Sequence, residues 1–172
     1  MPRKRVAASS FIKRAVELGA VEAKIVDPRK VPTGEWVRWK CRYGCRGYGS
    51  SLTCPPRSPE PAQTRRLLDG YSKGVLVHFA PPYTDVKKLI VDLEREAFLA
   101  GYYKAFGLGA GPCHLCEGCN FDAGCRHPDR ARPAMEACGI DVFATARAAG
   151  FPIEVVTHRG SEQNYYGLLL LE

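Results

Sequence analysis

The sequence predicts an α+β fold, a small mixed sheet covered by helices, from three observations. Gly74 to Phe79 is a β-rich apolar run bounded by Gly and Pro, which reads as a buried strand. From Thr84 to about Tyr103, Val86, Leu89, Ile90, Leu93, Ala97 and Phe98 recur at three and four residues with charges on the other side, an amphipathic helix. Two more strand candidates, Pro152 to Thr157 and Tyr166 to Leu171, close the chain.

The other elements follow from local signals. Ser9 to Gly19 offers hydroxyl caps, apolar Phe11, Ile12, Ala15 and Val16, and a terminating glycine, so it reads as a short helix. A strand follows around Val21 to Val26. Residues 40–56, rich in Cys, Gly, Ser, Pro and Arg without a sustained period, read as an irregular loop carrying Cys41, Cys45 and Cys54. Pro59 to Tyr71 reads as a helix, with Pro61 acceptable in its first turn. Gly107, Gly109 and Gly111 deliver the chain into a second cysteine segment, residues 111–138. Pro133 then opens a helical stretch interrupted near Gly139, and Asp141 caps its continuation to Gly150.

At 172 residues, 45% of them apolar, the chain suits a single domain over 1–172 with an embedded metal module and a basic tail over residues 1–8. The longest apolar tract, Leu168 to Leu171, is far too short to cross a bilayer. Arg3, Lys4 and Arg5 lead into the amphipathic stretch and not into an apolar signal core. The expectation is a soluble, cytoplasmic protein with no membrane insertion.

Eight cysteines without a secretion signal point to metal binding, because cytosolic thiols are kept reduced. They cluster as Cys41, Cys45 and Cys54, then Cys113, Cys116, Cys119 and Cys125, with Cys138 alone. The run Cys113-x2-Cys116-x2-Cys119 lets three thiolates from one tight turn reach separate irons of a [4Fe–4S] cubane. A zinc site, which gathers four donors at one point from two knuckles, suits it less well. Both cysteine-rich segments are therefore read as forming an embedded iron–sulfur module.

Closure by Cys125 departs from the bacterial ferredoxin run, since five residues precede it and Arg126-His127-Pro128 follow. Cys113, Cys116, Cys119 and Cys125 form the simpler site, while a bridging Cys125 with Cys138 as fourth ligand is the alternative. Cys138 is otherwise a small buried hydrophobe beside Met135 and Ile140. Three thiolates at Cys41, Cys45 and Cys54 would leave one iron open for substrate, and a fourth from Cys138 would close it. His114 and His127 sit in the run as alternative ligands or outer donors to sulfur. His78, in an apolar strand, reads as a satisfied core histidine.

The formal charge of +7 would suggest nucleic acid, but it counts thiolates as neutral. Two clusters on eight thiolates would leave roughly +3. Arg42, Arg46 and Arg57 accompany the first group, and Arg126, Arg130 and Arg132 the second, as tuning or docking charges or as plain solvated surface. No ribonucleoprotein aromatic signature or phosphate-binding glycine loop appears, so a nucleic-acid partner and nucleotide binding are not expected.

Cys41-x3-Cys45 with Tyr48-Gly49 and Cys54-Pro-Pro56, then Gly111-Pro-Cys113-x2-Cys116-x2-Cys119, then Arg132-Pro133-x-Met135-Glu136-Ala137 with Gly139-Ile140-Asp141, resembles one family over most of the chain. That family is the "predicted metal-binding protein" family, domain of unknown function 2284. The resemblance implies a metal and stops there.

Three functions compete. The first is single-electron transfer with a redox partner protein through one or two [4Fe–4S] clusters. The second is an enzyme using an open iron at Cys41, Cys45 and Cys54, assisted by Glu60 or His78. The third is a zinc-binding interaction or nucleic-acid module. The sequence does not indicate an oligomeric state.

Overall fold

The computed structural model describes residues 5–82 and 85–172. In chain order its elements are α1 (Ser10–Glu17), β1 (Glu22–Val26), α2 (Glu35–Gly44), α3 (Pro61–Asp69), β2 (Gly74–Phe79), α4 (Val86–Leu99), β3 (Phe106–Leu108), α5 (Val142–Ala148) and β4 (Tyr165–Leu170). The strands form one sheet in the order β1-β2-β4-β3, antiparallel throughout. The expected mixed sheet is thus corrected. β4, last in sequence, inserts between β2 and β3 and runs against both, an order set by long-range pairing and invisible in local pattern.

Both faces of the sheet are covered. Val75, Val77 and Phe79 of β2 and Leu169 of β4 pack against Phe11 and Ala15 of α1 and Leu89, Ile90, Leu93 and Ala97 of α4. Leu76 of β2 and Tyr166, Leu168 and Leu170 of β4 turn the other way, onto Leu68, Met135, Ile140, Val142 and Phe151. Alternate residues point to opposite faces, so a strand covered on both sides is apolar along its whole length. β2 is buried at all six of its positions. α4 lies so close to the sheet that a Cβ at Gly107 or Gly167 would collide with Ile90.

α4 begins where Asp85 caps it, its carboxylate accepting from Lys87 N at 3.0 Å and Lys88 N at 3.2 Å. Thr84, the expected helix start, lies outside the described residues. So do residues 1–4 of the basic tail. The rest of that tail is held in place: Arg5 pairs with Glu172 at 2.8 Å, Tyr102 donates to Val6 O at 2.8 Å, and Ala8 enters the core.

Three further expectations change. Residues 40–56 are not wholly irregular, because Cys41 stands on the last turn of α2 and Cys45 is its C-cap. Pro152 to Thr157 is not a strand: Ile153 is buried, but Val155 and Val156 face solvent and no strand pairs with them. Pro133 does not open an α-helix; only a 3-10 turn, Glu136–Cys138, forms before Gly139. Asp141 does cap the next helix, accepting from Ala144 N at 2.9 Å. No helix among the described residues is long and apolar enough to cross a membrane.

Candidate metal centre

The first cysteine group is built around a buried arginine. Arg38 is 8% exposed and lies one turn before Cys41 on α2. Its Nη1 faces Ser58 O at 3.2 Å, Ser58 Oγ at 3.0 Å, Pro59 O at 2.8 Å and Ala137 O at 2.9 Å, while Nη2 meets Glu60 Oε1 at 3.0 Å. One guanidinium thereby ties α2, the chain beyond Cys54 and the 3-10 turn together, using its fixed fork of donors. Glu60 also forms a capping box with Gln63 at the start of α3, so this candidate acid has structural partners.

Between Cys45 and Cys54 the chain folds back through Gly49 N donating to Pro55 O at 2.8 Å and Cys54 N to Ser51 O at 3.3 Å. Gly47 N donates to Cys45 Sγ at 3.3 Å. Burial pushes the Cys41 thiol above its ordinary range; Cys45, Glu136 and Cys54 push the same way, and Arg38 opposes them. Cys45 and Cys54 therefore both lie within electrostatic reach of Cys41.

Cys113, Cys116, Cys119 and Cys125 line one small cavity, with Leu52, Thr53, Asn120, Gly124 and Arg126 in its wall. The five-residue step to Cys125 is taken up by a turn. Asn120 Oδ1 accepts from Ala123 N at 2.9 Å, and Gly124 N donates to Asn120 O at 3.0 Å with Gly124 at φ +86°. His127 N donates to Cys125 Sγ at 3.4 Å. The two segments interlock, since Leu52 N donates to Cys119 Sγ at 3.4 Å and Arg57 stacks over the Phe121 ring at 4.0 Å. Beside them, a cavity of about 690 Å³ between α4 and residues 110–115 also reaches Cys113.

Cys138 stands apart. It is 1% exposed in the core with Met135 and Ile140, and does not line the four-cysteine cavity. The buried Thr64 hydroxyl lies near its sulfur without a hydrogen bond of normal geometry, as suits a thiol, a weak partner. Burial pushes the Cys138 thiol up to about 12. Its folded-state value therefore exceeds its unfolded one, so its contribution to stability is complete below about pH 9 and is lost as pH rises toward 12. In metal-free folded protein at about pH 8, iodoacetamide is expected to modify the exposed Cys45 and Cys125 first and Cys138 only on unfolding. Peptide mapping that finds Cys138 labelled as fast as Cys45 contradicts this.

Neither His114 nor His127 lines the four-cysteine cavity; His127 Nδ1 faces Arg130 Nη2 at 3.1 Å. His78 is the satisfied core histidine expected, 4% exposed, bonded to Asn164 Oδ1 at 2.6 Å and stacked on Tyr166. Among the described residues, no group of three or more His, Cys, Asp or Glu side chains is disposed to hold a metal ion.

Sequence reasoning missed Arg38, the Leu52 amide and Lys87. Arg38 carried a signal, its i, i+3 spacing from Cys41, visible only once α2 is recognised as a helix. Lys87 carried none, being one charge among many beside the apolar stripe of α4.

The free thiols thus fall in two interlocked groups, with backbone amides donating to the sulfurs of Cys45, Cys119 and Cys125. The chain belongs to the DUF2284 family, described as predicted metal-binding proteins, whose model matches residues 24–171. No curated protein and no solved structure matches the chain.

Proposed function

We propose that this protein binds iron–sulfur clusters and passes single electrons to or from a redox partner protein. The observation that carries the reading is the single cavity lined by Cys113, Cys116, Cys119 and Cys125, with backbone N–H groups of Leu52 and His127 donating to two of those sulfurs. The run Cys113-x2-Cys116-x2-Cys119, which offers three thiolates from one turn, suits a [4Fe–4S] cubane, whose ligands sit on separate irons, better than zinc, which takes its cysteines at about 2.3 Å from one point. Such a cluster supplies one-electron chemistry at a potential set by charge, hydrogen bonds and exposure. The Leu52 and His127 amides stabilise thiolate charge, and the Asn120 to Gly124 turn returns Cys125 to the cavity.

A partner surface accompanies the first group. On α2, Trp36, Trp39 and Tyr43 are 49%, 65% and 72% exposed, and Lys40 and Arg42 lie over the Trp36 and Tyr43 rings. Aromatic groups ringed by cations suit an acidic partner. Thiolate ligation needs reduced cysteines, and on that ground we place the protein in the cytoplasm.

The burial of Cys138 favours a second reading for the first group. With Cys138 in the core, Cys41, Cys45 and Cys54 would hold a cluster that keeps one iron open to a substrate. Electron paramagnetic resonance of anaerobically isolated, reduced protein tests both. A [4Fe–4S]-type signal is expected, unchanged in Cys138→Ala. Absence of any iron–sulfur signal contradicts the first reading, and loss of a cluster in Cys138→Ala contradicts the second.

A further inference from the structure

Lys87 is out of place in its helix. It lies on the first turn of α4, where its backbone N–H is capped by Asp85, but its side chain does not extend to water as that of Lys88 does. Its Nζ is buried and, among the described residues, has no hydrogen-bond partner. The fold makes room for it: a Cβ at Gly109, just beyond β3, would lie 2.6 Å from Lys87 Cγ, so only glycine there admits the stem. Burial pushes its ammonium below the ordinary lysine range, and Cys113, Cys54, Asp85 and Glu136 push it back up. One buried amine thus lies within electrostatic reach of a cysteine from each group.

An unpartnered buried ammonium is a cost to a folded protein. The cost is offset only when anions gather around it. Arg38, a buried cation among the described residues, is surrounded by acceptors, so an unpaired cation is not a general habit of this core.

We propose that Lys87, admitted by Gly109 and lining one cavity with Cys113, is a positioning charge shared by the two cysteine groups that compensates the negative charge of the clusters they bind. The inference rests on the iron–sulfur reading above. It makes the metal-free protein carry a strain that loading relieves, and it links the two groups through one cation. Because a nearby positive charge favours the more negative, reduced state, Lys87 raises the reduction potential of both clusters.

The test compares wild type, Lys87→Met and Lys87→Arg, each purified anaerobically with its clusters and titrated for midpoint potential by electron paramagnetic resonance. A parallel thermal unfolding series uses the metal-free proteins. Lys87→Met is expected to shift the reduction equilibrium about tenfold toward the oxidised state, about 59 mV lower for a one-electron couple. Lys87→Arg keeps most of the wild-type potential. Metal-free Lys87→Met, freed of the buried amine, is expected to unfold at a higher temperature than wild type. A lysine with a merely structural role moves in the opposite sense, lowering the unfolding temperature and leaving the potential unchanged. Gly109→Ala, which retains the charge but displaces the stem, is expected to lower the potential as well. A wild-type potential in Lys87→Met, or an equal fall in Lys87→Arg, overturns the assignment. Wild-type protein that holds zinc without sulfide overturns the cluster reading itself, a result distinct from both.

Discussion

Arg38→Met is expected to destabilise the protein by about 3 kcal/mol or more and to weaken the metal binding proposed for the first cysteine group, because among the described residues no other side chain donates to the Ser58 and Pro59 carbonyls. The carbonyls of Ser58, Pro59 and Ala137 all accept from Nη1. A buried acceptor left unmade costs about 1–3 kcal/mol, and of the three only Ala137 O keeps another donor, the Ser58 hydroxyl. Little of the loss comes from the ion pair with Glu60, whose side chain is 56% exposed and screened by solvent. Glu60→Gln should therefore cost less than about 1 kcal/mol. The contrast is read by urea unfolding of metal-free protein and by metal content per chain. Equal effects from the two substitutions would show that the carbonyl contacts carry no stability.

Glu94→Ala is expected to cost about 3–5 kcal/mol, since it leaves a buried charge unpaired. Glu94 and Arg132 are 13–14% exposed and pair through two bonds, at 2.6 Å and 2.7 Å. Glu94 Oε2 also accepts from Gly107 N at 2.8 Å, and Arg132 donates to Pro128 O at 3.1 Å and Ala131 O at 2.9 Å. The pair thus anchors the end of the second cysteine segment to α4 and β3. Glu94 holds the Arg132 guanidinium above its already high range. Glu94→Ala with Arg132→Met should be less destabilised than the sum of the single variants, because the second removes the charge the first strands. Additive losses would contradict the pairing.

Local pattern carried the parts of the fold that local pattern determines. β2 was readable to its last residue, since a doubly covered strand is one unbroken apolar run, and α4 was readable from its stripe. β3 was not, because a three-residue strand containing a glycine has no period of its own and exists through pairing with β4. Pro152 to Thr157 has strand-like composition but no open partner; it instead buries Ile153 and lends Pro152 O to the Tyr166 hydroxyl. For the site, cysteine spacing marked both groups. What spacing could not show was their interlocking through Leu52 and Arg57, since contacts between distant segments leave no periodic trace. Lys87 was hidden, because a buried cation reads in sequence like a surface one, and Arg38 was legible only through its spacing from Cys41 on a helix that the local pattern did not reveal.

These thiols are proposed to hold iron and sulfide. Protein isolated without exposure to air, assayed for iron, acid-labile sulfide and zinc per chain, tests it most directly. Iron and sulfide in equal amounts, about four of each per cluster and one or two clusters per chain, are the expected result. Stoichiometric zinc with no sulfide contradicts iron–sulfur binding by this protein.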